Sequence, residues 1–516
     1  MGKGEKLKNP KECCSARDVL WYLVFIGFAV NYMVRINLNI AIVSMVATRP
    51  KNNRISGNET LFQLNSKVPG DRTVATPPSL DAFLKFESRK FDWDEKQQGS
   101  ILGSFFYLHW ITQIPGGLLA NRYGAKLVYG FSNYAGVLLC FFIPFCSYKG
   151  TAYLIGLRML QGFLTGCAWP SMHSMTARWI PPNERSKFVT AYLGSSVGAA
   201  LTYPICGFII DRWGWELVFY VSGVMGTLWF LAWWALVYDS PVDHPRISDK
   251  EKEYIVASLG KSVAGVKQQA PVPWLKMTTN VTVLMNILAQ WGGVWGLFTL
   301  MTHAPTYFKF IHGWNIRATG LLSGMPHLIR MLWAFLFSQL GDYLLRSNKM
   351  TRSNVRKLAT AVCCIVQGVF MLGLAYSGCD YNAAIIFLTL AVASHGAVST
   401  GPLASIVDIS PNYASVILGF CNTIVALVGF LTPMVVGQLT FQNQTSGQWQ
   451  KVFWIAAGFL FVSGISYVLF AKSELQSWNT PGKADEVPES EVMMKNNRDK
   501  EEESKVTLMY ADVKEK

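Results

Sequence analysis

Residues 19–47 read VLWYLVFIGFAVNYMVRINLNIAIVSMVA, and Arg35 is the single charged residue in this apolar run. About 20 predominantly apolar residues are enough for a helix to cross the hydrocarbon core of a bilayer. The run therefore predicts a transmembrane helix that stays in the protein, because it is too long to be the apolar core of a cleavable signal peptide. The polar residues before it, 1–18, are predicted to form a cytoplasmic N-terminus.

The same pattern recurs along the whole chain. Eleven further apolar runs lie at about 97–119, 126–147, 151–179, 187–210, 216–238, 277–301, 316–342, 355–377, 382–408, 412–438 and 449–471. Of the 516 residues, 51% are hydrophobic and 15% are charged, whereas a soluble domain carries roughly 25% charged residues. The composition excludes an ordinary soluble enzyme and predicts an all-α membrane protein with 12 transmembrane helices.

The predicted spans divide into two halves of six. A polar stretch at 239–276, predicted to be a cytoplasmic linker, separates an N-terminal six-helix bundle (19–238) from a C-terminal one (277–471). The N-terminal bundle contains one long loop at 48–96, and the tail 472–516 is predicted to be cytoplasmic and disordered.

A weak internal repeat relates the two halves. GSILG at 99–103 is followed by His109, and GLLSG at 320–324 is followed by His327 and Arg330. Such repeats are typical of transporters in which two bundles rock about a site near the middle of the membrane. Glycines also recur by chance in any sequence that packs helices closely, so the repeat alone is a weak signal.

The distribution of Lys and Arg predicts the orientation of the spans. The short loops after spans two, four, eight and ten carry ten of these residues, and the loops after spans three, five, seven, nine and eleven carry five. Because cytoplasmic loops carry the excess of positive charge, both termini are predicted to be cytoplasmic. The sequons at Asn58 and Asn443 then lie on the opposite side and are predicted to be glycosylated. The formal charge of +14 is spread over loops rather than clustered on one face, which excludes a nucleic-acid-binding protein.

Three arginines lie deep within predicted spans. They are Arg35 in span one, Arg158 in span four and Arg330 in span eight, whereas no Asp or Glu lies well inside any span. An unpaired buried guanidinium costs at least several kcal/mol, so such a group usually pairs or faces a cavity. The planar guanidinium suits phosphate and carboxylate, and the missing partner is therefore predicted to be an anionic substrate. In the alternative interpretation, Arg158 bonds carbonyls or polar side chains of neighbouring spans and Arg330 lines a helix–helix contact.

Histidines in the predicted spans are candidates for proton transfer, because imidazole exchanges protons near neutral pH. They are His109, His173, His327 and His395, although a lone histidine in a helix is more often a hydrogen-bonded packing residue. No Cys/His pair has the spacing of a structural metal site, and no phosphate-binding glycine loop or hydrolase nucleophile motif occurs. The sequence therefore predicts neither an enzyme nor a resident cofactor, but a coupling ion that is sodium or a proton.

Several motifs resemble those of a known family. GLLANRYGAK at 117–126 resembles the signature loop of the major facilitator superfamily, with Asn121 where the pattern has Asp, and RMLQG at 158–162 resembles its span-four motif. More specific segments resemble solute carrier family 17, the anion/cation symporters, and most resemble the insect inorganic phosphate cotransporters in that family. These segments are RINLNIAIV at 35–43, GSFFY at 103–107, TQIPGG at 112–117, WPSMH at 169–173 and DISPNYAS at 408–415.

The resemblance implies a twelve-helix fold and transport of organic or inorganic anions. It implies that Arg35 and Arg158 bind substrate and that His173 corresponds to the histidine of the span-four segment. Two positions depart from the family: Thr165 stands where the sialin and glutamate branches have Glu, and Gly293 stands where the glutamate branch has Arg. These departures argue against a vesicular glutamate transporter and against proton coupling of the sialin type.

The sequence thus predicts a transporter that works by alternating access on a small anionic solute. Sodium-coupled symport of inorganic phosphate or a small organic anion at the plasma membrane, by a monomer, is the leading hypothesis. The alternative is a carboxylate carrier of a vesicle or lysosome membrane that is driven by protons or by potential, and a sensor that does not transport is a third hypothesis. The site residues are predicted in three groups: Arg35, Arg158 and Arg330 for substrate; His173, His327, Thr165 and Asn37 for coupling or gating; and Gly117, Arg122, Gly124 and Lys126 for the conformational loop.

Overall fold

The structure, a computed structural model, describes residues 15–47, 90–181, 184, 188, 190–259, 272–411 and 413–479. The predicted glycosylation site Asn58 lies outside these residues. In the N-terminal half, the spans are Ala16–Met45 (one), Glu95–Tyr107 with Gln113–Tyr123 (two), Ala125–Cys140 with Ile143–Lys149 (three), Thr151–Thr165 with Ala168–Trp179 (four), Thr190–Leu193 with Gly194–Trp213 (five) and Trp215–Leu236 (six).

The C-terminal half follows two short helices, Asp249–Leu259 and Trp274–Thr278. Its spans are Val281–His312 (seven), Ile316–Arg346 (eight), Arg352–Thr360 with Ala361–Val366 and Gln367–Tyr376 (nine), Tyr381–Ser394 with His395–Ser399 and Pro402–Ile409 (ten), Ala414–Ala426 with Val428–Leu439 (eleven) and Ser446–Phe470 (twelve). Within span nine, Ala361–Val366 is a π-helical turn, and within span ten, His395–Ser399 is a 3₁₀ turn.

Not every span is one continuous helix, although the sequence predicted continuous runs. Among the described residues, nine spans are long and apolar enough to cross a membrane by themselves, and span three qualifies when its two helices, bent by 48°, are taken together. Spans two and four are each divided into two shorter helices. In spans two, three and four the second helix has a proline in its first turn, namely Pro115, Pro144 and Pro170. A proline there removes no helical hydrogen bond, so these residues begin a new helix without cost to the one before.

Successive spans cross in opposite directions, so the two described chain ends lie on one side, which we call the terminal face. The opposite side, the distal face, carries the end of span one and the start of span two. At the distal face a single bridge joins Val46 to Phe91, with hydrogen bonds of 2.7 and 2.9 Å between the two backbone segments.

The helix Asp249–Leu259 is fixed to the start of span one at the terminal face. Glu251 accepts hydrogen bonds from the side chain of Arg17 at 2.8 Å and from the first backbone N–H groups of span one. Arg17 also pairs with Glu184 at 2.5 Å, and Tyr254 donates to that carboxylate at 3.0 Å. A carboxylate at a helix N-terminus is stabilised by the helix dipole, so Glu251 both caps span one and neutralises Arg17.

The beginning of the C-terminal tail is ordered, whereas the sequence predicted disorder from residue 472. Gln476 donates its backbone N–H to the carbonyl of Ile409 at 2.9 Å and accepts from the side chain of Asn280 at 2.8 Å. Asn479 accepts from Ser410 at 2.9 Å. These bonds hold 472–479 against the terminal ends of spans seven and ten.

The two halves meet in a seam of close backbone contacts, which we call the glycine seam. A Cβ added to Gly99 of span two would lie 2.5 Å from the carbonyl oxygen of Pro433 in span eleven. A Cβ added to Gly320 of span eight would lie 2.5 Å from the carbonyl oxygen of Tyr203 in span five. Such distances exclude any side chain, so the seam depends on glycine at these positions. Three more glycines in the distal and central parts of the seam make similar backbone contacts across it, Gly207, Gly324 and Gly437, and Gly429 packs against the ring of Phe106.

Candidate substrate-binding site

Arg35 lies in the interior of span one with an incompletely bonded guanidinium. The residue is 7% exposed, and its Nε is buried without a hydrogen-bond partner. Its one hydrogen bond, from Nη2 to Asn31, is long at 3.5 Å. Three aromatic rings surround the group instead, with Tyr32, Phe105 and Phe106 centred 4.9, 5.4 and 5.6 Å from its Cζ atom. Ring faces attract a cation but leave its N–H donors free for an anion.

Arg158 is bound by the protein itself. It is 1% exposed, and its Nη1 donates to the carbonyl of Val34 at 3.1 Å and to the side chain of Gln161 at 2.6 Å. Its Nη2 donates to the carbonyl of Arg35 at 3.0 Å, while Nε has no partner. This geometry is the alternative that the sequence left open, in which Arg158 bonds a neighbouring span. Arg158 thereby fixes the backbone of span one at the residue that carries the Arg35 side chain.

Arg330 connects the two halves. Its Nη2 donates to the hydroxyl of Ser196 in span five at 2.6 Å. The side chain is half-buried, and Tyr32 of span one lies within electrostatic range of both Arg330 and Arg35. We call Arg35 with Tyr32 of span one, and Arg330 of span eight with its partner Ser196, the arginine group.

Within the described residues, none of these three arginines forms an ion pair with an Asp or Glu. The described carboxylates that do form ion pairs lie at the two faces. Asp211 pairs with Arg317 at 2.6 Å at the distal face, and Asp408 pairs with Arg356 at 2.7 Å at the terminal face. The charge imbalance predicted from the sequence is therefore a property of the described structure.

The predicted coupling residues occupy different surroundings. His173 is half-buried beside Tyr192, whose hydroxyl lies 3.5 Å from its Nδ1. His327 is buried with its ring nearly parallel to that of Tyr203, 6.1 Å away. Asn37 is fully buried, and its Oδ1 has no partner. Among these side chains, His327 lies within electrostatic range of Arg330, which places it beside the arginine group.

Thr165 is bonded within its own helix, where its hydroxyl proton is already used. Its hydroxyl donates to the carbonyl of Gln161 at 2.8 Å and lies 3.3 Å from that of Gly162. The residue is 2% exposed and packs against Gly136. A threonine that bonds a carbonyl one turn earlier makes a local structural contact.

We expect Thr165→Val to leave the initial uptake rate within about twofold of wild type, because valine keeps the shape and the lost hydrogen bond contributes only about 1 kcal/mol. The rate is measured in proteoliposomes at equal protein content. A tenfold loss of uptake would restore Thr165 to a coupling role.

The predicted conformational loop closes the terminal ends of spans two and three. Gly124 has a φ of +97°, and a Cβ there would collide with the carboxylate of Asp239 at 2.5 Å. Asp239 accepts a hydrogen bond from the backbone N–H of Lys126 at 2.8 Å and so caps the helix of span three. The Lys126 ammonium lies 4.5 Å from the ring centre of Tyr238. The loop is thus fastened to the end of span six.

Two other loop positions make fewer contacts. Arg122 is exposed, with its guanidinium 5.4 Å from the ring centre of Tyr123. Gly117 faces span four, where a Cβ would lie 3.6 Å from Pro170. The second predicted glycosylation site, Asn443, is exposed in the loop between spans eleven and twelve at the distal face.

Sequence reasoning missed two residues of the arginine group. Tyr32 precedes Arg35 by three positions on a helix, a spacing that places both on one face, so the sequence contained a signal for it. Ser196 could not be identified, because its role depends on the packing of span five against span eight.

Comparison with known proteins decides the family. The sequence profile described as Major Facilitator Superfamily matches residues 24–433. The chain belongs to the major facilitator superfamily. Human sialin (Homo sapiens) is 37% identical over 471 residues, which cover 90% of this chain and 91% of sialin. Vesicular glutamate transporter 1 of Xenopus tropicalis is 33% identical, with 92% of this chain and 79% of that protein covered.

A third relative is the Drosophila melanogaster protein named "Putative inorganic phosphate cotransporter", which is 32% identical over 93% of this chain and 89% of its own length. Within the superfamily, the chain therefore belongs to solute carrier family 17, as its motifs indicated. These identities do not rank the phosphate cotransporter above sialin.

Solved structures of other superfamily members share the fold. A bacterial homologue of the human lysosomal transporter Spinster superposes with a TM-score of 0.61 at 13% identity and covers 90% of this chain and 100% of its own. A D-xylose–proton symporter gives 0.57 at 15% identity, over 89% and 99%. The predicted twelve-helix fold is thus confirmed, and the chain is a multi-pass membrane protein.

Proposed function

We propose that this protein is a secondary active transporter that carries a small anion by alternating access. The observation that carries the proposal is the arginine group, in which neither Arg35 of span one nor Arg330 of span eight has an ion-pair partner in the described structure. An anion would supply the missing charge and accept the free N–H donors of Arg35. Relatives named for glutamate and phosphate transport support an anionic substrate.

The arginines have different roles in this proposal. Arg35 and Arg330 contact the anion, one from each half, so that a bound anion bridges the moving parts. Arg158 is a positioning residue, because its terminal nitrogens already bond the carbonyls of Val34 and Arg35. Its fixed charge still contributes to the positive potential at the centre.

The described conformation supports access from the terminal face. The glycine seam closes the distal and central parts of the interface, whereas Arg330 stays half-buried at mid-membrane depth. A substrate would therefore reach the arginines from the terminal face, which we propose to be cytoplasmic from the Lys and Arg distribution. Binding of the anion would reduce the positive charge at the interface between the halves. The terminal ends of the two halves would then close over the bound anion while the distal seam opens.

Several finer properties belong to the same proposal. We propose that the protein acts as a monomer, because each arginine comes from the same chain. Exposure of Asn443 supports glycosylation at the distal face. A plasma membrane location remains our first hypothesis, and the relatives named as vesicular transporters support a vesicle or lysosome membrane as the alternative.

The deciding experiment is uptake of labelled phosphate and L-glutamate by the full chain in proteoliposomes. A sodium gradient, a pH gradient and a membrane potential are imposed separately. We expect at least one of the two anions to accumulate under one of these gradients. The gradient that drives the accumulation identifies the coupling ion. Anion binding without counterflow exchange would instead favour the sensor hypothesis, and movement of no anion under any condition would refute the transporter.

A further inference from the structure

Among the described residues, the buried side chain of His395 has no hydrogen-bond partner. It is 4% exposed, and neither Nδ1 nor Nε2 is bonded. In the described part of the chain, no other histidine has both ring nitrogens buried and unpartnered. His109, in contrast, has its Nδ1 3.1 Å from the carbonyl of Gly162 and its Nε2 3.1 Å from the side chain of Gln113. A buried polar group without a partner is costly, so the surroundings of His395 require a functional explanation.

Among the described residues, spans seven and nine also carry buried side-chain atoms without a hydrogen-bond partner. The amide of Gln367 in span nine is fully buried with neither its oxygen nor its nitrogen bonded, and Gln290 in span seven has a free Nε2. Gly293 of span seven faces both His395 and Cys363. A Cβ at this glycine would lie 3.6 Å from the His395 ring and 3.4 Å from the Cys363 sulfur. Gln290 lies one turn before Gly293 on span seven and Gln367 one turn after Cys363 on span nine. We call these two glutamines, His395 and Cys363 the His395 cluster.

The backbone is irregular at the same level. His395 begins the 3₁₀ turn of span ten, and the π-helical turn of span nine ends immediately before Gln367. π-Helical turns and interrupted membrane helices occur frequently at functional sites, because they free backbone groups and create room. Two irregular turns that flank one unpartnered imidazole favour a site over ordinary packing.

The cluster is connected to the arginine group. A Cβ on Gly396, the next residue, would lie 2.6 Å from the carbonyl oxygen of Arg330, so the two backbones touch. His395 is within electrostatic range of both Arg330 and His327 of span eight. The thiol of Cys363 in span nine also lies beside it, with its Sγ 3.9 Å from the carbonyl oxygen of His395, while Gln290 of span seven is uncharged. No described carboxylate faces the imidazole.

We propose that His395 binds the proton that is transported together with the anion. A proton from water occupies the lone pair of the neutral imidazole and leaves to water on the other side of the membrane. With the site empty, the positive charge of Arg330 opposes a second positive charge on His395. An anion at Arg330 removes that opposition, so anion binding favours protonation, and by linkage protonation favours anion binding to the same extent.

The inference rests on the proposed function and replaces sodium by the proton as the coupling ion. It also explains how coupling is possible in a chain that has Thr165 at the position of the family glutamate, since the proton site then lies in the other half. A hydrated sodium ion fits the cluster poorly, because imidazole nitrogens are weak ligands for hard cations, which prefer oxygen.

The test measures the ratio of proton influx to anion influx in proteoliposomes that enclose a pH-sensitive dye. Labelled phosphate and L-glutamate are the probes. For wild type we expect anion influx to be accompanied by proton influx. For His395→Gln we expect the ratio of proton influx to anion influx to fall about tenfold. Exchange of labelled for unlabelled anion moves no net proton, so its rate should fall much less. Retained exchange also shows that the variant is folded. His395→Asn serves as a second variant.

The matched control is His109→Gln. This substitution also removes a buried imidazole within a span, but one whose two nitrogens are both bonded. We expect it to keep the wild-type ratio of proton influx to anion influx. An unchanged ratio in both His395 variants would overturn the inference. Wild-type anion influx without protons would also overturn it but leave the proposed function intact. If wild type moves neither anion, the proposed function fails first.

Discussion

Replacing Arg35 with glutamine is expected to reduce anion uptake by about 100-fold, because hydrogen bonds to a charged group contribute about 1.5–3 kcal/mol each. The same variant should unfold at the same temperature as wild type or a higher one. Arg35 has a buried Nε without a partner and one long hydrogen bond, so its charge costs stability in the empty protein. If removing the Arg35 charge abolishes uptake without lowering the unfolding temperature, the residue serves binding and not stability. Uptake and thermal unfolding are measured on the same purified samples.

Arg17 provides the matched control in the same helix. It forms ion pairs with Glu184 and Glu251, and Glu251 is 1% exposed. Arg17→Gln leaves a buried carboxylate uncompensated, which typically costs about 3–5 kcal/mol. We therefore expect this variant to unfold at a lower temperature while uptake per folded molecule changes little. If Arg35→Gln behaved like Arg17→Gln and lost mainly stability, Arg35 would be a structural residue and the proposed site would be wrong.

Replacing Gly320 with leucine is expected to prevent closure of the distal side. The new Cβ would lie 2.5 Å from the carbonyl oxygen of Tyr203 and 3.2 Å from the Cα of Gly207. Overpacking of this kind costs about 1–3 kcal/mol or more, and about 3 kcal/mol changes the ratio of two conformations by about 100-fold. Because every transport cycle passes through the closed seam, uptake should fall by a similar factor. The protein should accumulate in a conformation that is open to the distal face.

The measurement is labelling of a cysteine that replaces Leu102, one turn after Gly99 in span two, with a maleimide that does not cross membranes. Leu102 is 4% exposed, and the smaller cysteine adds no clash to the seam. It should therefore react slowly in the otherwise wild-type protein and quickly from the distal side in the Gly320→Leu background. Gly458→Leu in span twelve is the control, because nothing lies within 4 Å of a Cβ at that glycine. Equal labelling in both backgrounds, together with normal uptake by Gly320→Leu, would show that the seam does not open during transport.

Apolar runs allowed the spans to be located from the sequence, because a bilayer imposes one length and one polarity on every crossing helix. The divisions in spans two and four were not predicted, although Pro115 and Pro170 contain a signal for them. Proline also occurs inside continuous membrane helices, as Pro305 does in span seven, so its position alone does not fix a break.

The deep arginines were also located from the sequence, but their partners were not. Arg158 bonds two backbone carbonyls, and since every residue has a carbonyl, no sequence pattern identifies which one is used. Thr165 is the opposite case: its bond to the carbonyl four residues earlier is local and could have been predicted from its position in a helix. His395 was indistinguishable from the other membrane histidines until its missing hydrogen bonds were visible.

The glycine seam has a consequence for how this protein responds to its medium and to sequence drift. At Gly99 and Gly320 the two halves touch through backbone atoms, so no charge at these positions can be screened by added salt or titrated. Ionic strength should then act on the distal closure through the exposed Asp211–Arg317 pair, which joins span five to span eight at that face, and leave the backbone contacts themselves unaffected. A single methyl group added at either glycine already collides with the opposite half, so these positions tolerate little change of sequence.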